Sequence, residues 1–75
     1  MTVEEIFASA LSIDRARVSD DLAYGSIKEW DSVAHMALIS ALEQEYDVMI
    51  ETDDVIDMSS VAVAKTILRK YDVAA

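Results

Sequence analysis

Asp31-Ser32-Val33-Ala34-His35-Met36-Ala37-Leu38-Ile39-Ser40-Ala41-Leu42-Glu43-Gln44-Glu45-Tyr46 contains no helix breaker and is the clearest helical stretch of the chain, and its reading decides the fold. Asp31 is a favoured N-cap, and a helix is predicted over 32–46. At helical spacing His35, Leu38, Ile39, Leu42 and Tyr46 fall within an arc of about 100°, a stripe suited to a core. The opposite side carries Val33, Ala37, Ser40 and Gln44, neither strongly apolar nor charged. A surface helix normally places charges there, so this face is a candidate contact surface.

Working outward, Thr2-Val3-Glu4-Glu5 is a capping-box pattern, with Thr2 as the cap and Glu5 reaching back. Val3, Ile6, Phe7, Ala10 and Leu11 follow at helical spacing and predict a first helix. From Ser12 to Asp31 the periodicity is lost. Ile13, Val18, Leu22 and Ile27 are scattered apolar anchors, and Gly25 marks a turn. A loop of this length in so small a domain points to function, and its anchors predict that it packs over the core. Beyond Tyr46, Glu51-Thr52-Asp53-Asp54 supplies caps and a negative first turn for a short third helix through Val55-Ile56-Asp57-Met58. Ser59 or Ser60 caps a fourth, with Val61, Ala64, Ile67 or Leu68, and Tyr71 inward. Lys65, Arg69 and Lys70 lie toward its C-terminus, where they complement the helix dipole. The expected fold is all-α: a small four-helix bundle of three main helices, one short third helix and a long loop between the first two. The 75 residues make a single domain, 1–75.

Composition narrows the function classes. With no Cys and one His, neither disulfides nor thiolate or multi-histidine zinc sites are available. No metal site is expected; the stretch Glu51–Asp57 lacks the Gly-centred spacing of a calcium loop, leaving only diffuse divalent-cation binding. No stretch reaches the ~18 apolar residues of a membrane span, and no signal-peptide pattern is visible, so a cytoplasmic protein is expected. The net charge of −9 sits entirely in the middle: residues 29–64 hold nine acids and no Lys or Arg. Such a surface repels nucleic acid and anionic membranes and matches a basic protein partner.

Ser32 is the residue with most chemical promise. It follows an acidic cap at the mouth of the longest helix, where backbone N–H groups and the positive dipole end suit a phosphate ester. On spacing alone, Ser32 also reads as an ordinary first-turn serine. Ser32, His35 and Asp31 include the residue types of a hydrolytic triad. Asp31 and Ser32 are chain neighbours, however, which leaves one His little room between them. A packed or half-buried His35 is expected instead.

Trp30-Asp31-Ser32-Val33, with the run to Leu42-Glu43-Gln44-Glu45-Tyr46, resembles the attachment motif and second helix of acyl carrier proteins. The likeness extends over nearly the whole chain as helix, long loop, motif helix, short acidic helix and final helix. It implies a non-catalytic carrier with 4′-phosphopantetheine on Ser32, Asp31 as the acidic motif neighbour, and thioester-linked acyl cargo shuttled between enzymes. By motif position, Val33 stands at the apolar partner-contact site. Glu43, Glu45, Asp53, Asp54 and Asp57 resemble the acidic recognition surface, to which Ala37 and Ser40 of the outer face are joined. Ile39, Leu42, Ile50, Val55, Met58 and Val61 resemble core residues beside an acyl cleft. The partners implied are a phosphopantetheinyl transferase and acyl-loading and acyl-processing enzymes with basic docking surfaces, acting on a monomer.

The departures from the family pattern are informative. Ala34 and Ala37 stand where fatty-acid carriers usually have acids, and Ser40 replaces a larger apolar residue. They point away from general fatty-acid synthesis and toward a dedicated carrier of a polyketide-like or other specialised pathway. Peptidyl and D-alanyl carriers share the motif. An acidic helical adaptor without a prosthetic group, using the Val33/Ala37/Ser40 face, is the alternative from another class.

Overall fold

The computed structural model describes residues 1–73 as a small all-α bundle. Its four helices are α1 (Val3–Leu11), α2 (Ser32–Tyr46), α3 (Thr52–Asp57) and α4 (Val61–Lys70). A single 3₁₀ turn, Arg15–Arg17, interrupts the long loop between α1 and α2. The capping box forms as the spacing requires: Glu5 N–H donates to Thr2 Oγ1, and Thr2 N–H donates to Glu5 Oε1. Asp31 caps α2 by accepting from Ala34 N–H at 2.9 Å. Of the two candidate caps for α4, Ser60 takes the role, accepting from Val63 N–H at 3.1 Å.

The core is built from one stripe of each long helix: Val3, Ile6, Phe7 and Leu11 of α1, Leu38, Ile39 and Leu42 of α2, and Val61, Ala64, Ile67 and Leu68 of α4. α1 packs chiefly on α2. The largest side chain enclosed is Trp30, fully buried, with its ring edge-on to Phe7 at 5.3 Å. Trp30 reads in the sequence as no more than a motif flank. Inside the fold it is the keystone of the loop, drawing residues 18–30 against the helices together with buried Val18 and half-buried Leu22 and Ile27.

The loop also supplies backbone acceptors. Leu22 and Asp20 carbonyls accept from the N–H groups of Val61 and Ala62, so the loop satisfies amides that the start of α4 leaves unpaired. Tyr24 N–H donates to Ser59 O at 2.9 Å. Gly25 makes the turn with φ +77°, a left-handed conformation that only glycine adopts without strain, and its N–H reaches Trp30 O.

α3 is the least self-sufficient element. Six residues lie far below the length at which an isolated helix is stable. Its N-cap, Glu51, makes no side-chain capping bond. The chain entering it is held from elsewhere: Glu43 of α2 accepts from Ile50 N–H at 2.9 Å, and Tyr71 Oη accepts from Glu51 N–H at 3.0 Å. Asp54, within α3, accepts from Lys70 Nζ at 2.6 Å and from the Tyr71 hydroxyl.

This arrangement corrects one expectation. Asp54 is only 7% exposed and turned into the molecule, so it is not part of an outward acidic surface. The fold also brings the oppositely charged parts of the chain together. The middle segment is partly neutralised by its flanks through Lys70–Asp54 and Arg17–Glu29, and the Met1 amino group pairs with Glu45.

The hydrogen bonds from Lys70 and Tyr71 hold the Asp54 carboxyl below the usual carboxylate range, and the bond to Asp54 holds Lys70 above its ordinary value. A depressed carboxyl contributes stability that is present above its unfolded pKa and lost as pH falls through the lower folded value. A raised Lys contributes stability that is present below its unfolded value and lost as pH climbs through the folded one. Asp54→Asn is therefore expected to lower Tm at neutral pH and to flatten the fall in Tm below about pH 4. Thermal melts of both proteins across the acid range check this; parallel curves would show that the contact is not coupled to folding.

Candidate functional site

Ser32 is the first residue of α2 and is exposed, where the bundle end meets the loop and α3. Its hydroxyl lies 3.0 Å from the Tyr24 hydroxyl. Between the loop, α2 and α3 opens a cleft of about 320 Å³, lined by Tyr24, Ser32, His35, Met36, Val55, Ile56, Met58 and Ser59. Its volume falls in the range of small-molecule sites, roughly 300–1,000 Å³. The walls are mostly hydrocarbon and thioether, with hydroxyls at the Ser32 mouth.

His35 fixes the back of this cleft. The Trp30 indole N–H donates to His35 Nδ1 at 3.0 Å, and His35 Nε2 lies 2.8 Å from Val55 O. A carbonyl only accepts and an indole only donates, so Nε2 carries the proton and the ring is neutral in this arrangement. One imidazole thereby ties the loop, α2 and α3 together. The Trp30 and His35 rings stack, with planes 20° apart and centroids 6.1 Å apart, and Tyr24 stands edge-on to both. With both ring nitrogens committed elsewhere, His35 makes no hydrogen bond to Ser32, and a Ser–His pair is not assembled. The half-buried, packed histidine expected from the sequence is the one observed. Asp31 spends one carboxylate oxygen on the Ala34 amide, a capping role rather than an acid–base one.

The expected site residues separate into three environments. Val33, Ala37 and Ser40 are exposed on the outer face of α2, with Val33 80% exposed, and Ser32 is exposed at the cleft mouth. Glu45, Asp53 and Asp57 are exposed, whereas half-buried Glu43 is engaged by the Ile50 amide. Of the expected cleft residues, Val55 and Met58 line the cavity; Ile39, Leu42, Ile50 and Val61 belong to the packed core. Tyr24, Met36, Ile56 and Ser59 complete the lining without having been singled out in the sequence. Met36 and Ile56 are large apolar residues that the fold leaves mostly exposed, a signal that appears only once the fold is known. Tyr24 had none, because nothing local in a loop tells which residue will arch over a helix end. Among the described residues, no group of three or more His, Asp or Glu is gathered to hold a metal ion, and no helix is long and apolar enough to cross a membrane.

No protein-family model matches the chain.

His35→Phe retains an aromatic ring but removes both hydrogen bonds, leaving the Trp30 indole N–H buried without its acceptor. The expected loss is about 1–3 kcal/mol of unfolding free energy, read by urea denaturation, with altered Trp30 emission. An unchanged midpoint and spectrum would show that the imidazole does not brace the cleft.

Proposed function

We propose that the protein is a non-catalytic carrier of the acyl-carrier kind, bearing phosphopantetheine as a phosphodiester on Ser32. The observation that carries this reading is the placement of an exposed serine hydroxyl at the first residue of the longest helix and at the mouth of an apolar cleft. The residues present suit such a group. The amides of the first turn of α2 and its dipole favour a phosphate at that end. The neighbouring cleft offers Met36, Val55, Ile56 and Met58 to an apolar chain. When bound, the group supplies a flexible arm ending in a thiol for acyl transfer.

The chain's own residues then divide the work. Ser32 provides the attachment oxygen, Asp31 secures the helix end that presents it, and His35 braces the cleft wall. The exposed strip of Val33, Ala37 and Ser40, with Glu45, Asp53 and Asp57 beyond it, is suited to docking enzymes that carry basic surfaces. The alanines and serine along that strip favour a dedicated partner set in a specialised cytoplasmic pathway over a general fatty-acid system.

Intact mass before and after incubation with coenzyme A and a broad-specificity phosphopantetheinyl transferase tests the reading. A single adduct on the wild-type protein and none on Ser32→Ala is expected. A folded protein that takes no adduct from a cognate transferase either would instead be the helical adaptor. Partner binding should weaken several-fold between ~0.05 and ~0.5 M salt, because contacts between exposed charges are screened. Salt-independent titrations would remove the acidic strip from the docking role.

A further inference from the structure

The contact between Tyr24 and Ser32 joins two hydroxyls at the cleft mouth, and it is built from several sides. Backbone bonding of Tyr24 N–H to Ser59 O anchors the residue beside the start of α4. Its ring stands edge-on to Trp30 at 6.1 Å and to His35 at 5.4 Å. Trp30 is itself locked by the core and by His35. The phenol tip thus lies 3.0 Å from Ser32 Oγ with its ring against Trp30 and His35, and Tyr24 is 44% exposed.

We propose that Tyr24 positions and polarises the Ser32 oxygen for its own modification, an inference that rests on the carrier reading. In the transfer, Ser32 Oγ forms a bond to the phosphorus that bears the pantetheine arm in coenzyme A. The bond from that phosphorus to the bridging oxygen of the diphosphate breaks, and adenosine bisphosphate leaves with the electron pair. The serine proton goes to a base on the transferring enzyme. As that proton departs, negative charge grows on Ser32 Oγ. A phenol is the stronger acid of the two hydroxyls, so the hydrogen bond runs from Tyr24 to Ser32 at that stage. Hydrogen bonds to a developing anion are shorter and stronger than neutral ones, so this contact tightens toward the transition state rather than in the resting protein. Its removal slows the chemical step more than it weakens docking.

Tyr24→Phe isolates the hydroxyl while keeping the ring against Trp30 and His35. Steady-state and single-turnover loading of wild-type and Tyr24→Phe apo-protein with coenzyme A, followed by intact mass, reads the effect. The expected result is a fall of about tenfold in kcat and in the single-turnover rate. KM for the carrier should stay within about twofold, with unchanged Tm and Trp30 emission. Equal loading rates for the two proteins would overturn the role of Tyr24 and leave the carrier reading intact. So would a raised KM at constant kcat, which marks a docking contact, or a fall in Tm matching the rate loss, which marks a structural one. A wild-type protein that takes no adduct overturns both.

Discussion

One imidazole sets the geometry on which the rest of the site depends. His35 accepts a hydrogen bond from the buried Trp30 indole N–H on one side and donates its own N–H to the Val55 carbonyl of α3 on the other. Three segments that share no continuous backbone bonding pattern are therefore referenced to a single ring on α2. The loop is placed by Trp30, α3 by Val55, and the cleft is the space left between them. Tyr24 inherits its position from the same ring stack. The cavity is thus an outcome of polar bracing around an apolar space, not a gap in the packing of the main core.

The main architecture was legible in the sequence because it is local. The capping box at Thr2, the cap at Asp31 and the stripe Leu38–Ile39–Leu42 each state their structure within a few residues, and α1 and α2 begin and end where those signals place them. α4 matched equally, its cap resolved to Ser60. The short helix follows its reading as well, with Glu51 at the N-cap and Asp53 and Asp54 in the first turn; only Met58 lies one residue past its end. What stayed hidden is what depends on distant residues. No local pattern shows that Trp30 turns inward, that Tyr24 arches over Ser32, or that Asp54 meets Lys70 sixteen positions along the chain. A cleft assembled from three segments is illegible for the same reason: its lining is set by tertiary packing, and four of its six expected residues, Ile39, Leu42, Ile50 and Val61, are consumed by the core itself.

Charge shows a similar division between what a chain lists and what a fold does with it. The acidic middle and the basic flanks are separate in sequence but meet in space, where Lys70 and Arg17 reach Asp54 and Glu29. Lys65 serves Glu4 and Asp20 at 2.7 Å each, tying α4 back to α1 and the loop. Exposed acids remain toward the far end of α2, on α3 and in the long loop at Asp14, Asp21 and Asp31. The start of α2 carries one acid, the capping Asp31, beside exposed Ser32 and Val33. A partner meeting this surface finds exposed Val33 and the Ser32 hydroxyl with a single carboxylate, Asp31, beside them.

The borrowed caps of α3 have an evolutionary consequence. The segment 51–58 cannot be treated as a portable cassette. Its entering amides are served by Glu43 and Tyr71, one of its carbonyls by His35, and its buried acid by Lys70, so the instructions for this helix are written in its neighbours. Exchanged into a related bundle without those partners, it would arrive with unpaired polar groups and too few turns to compensate. Diversification of the cleft through this helix is therefore restricted to its outward positions, such as Ile56, which can vary without disturbing the tethers.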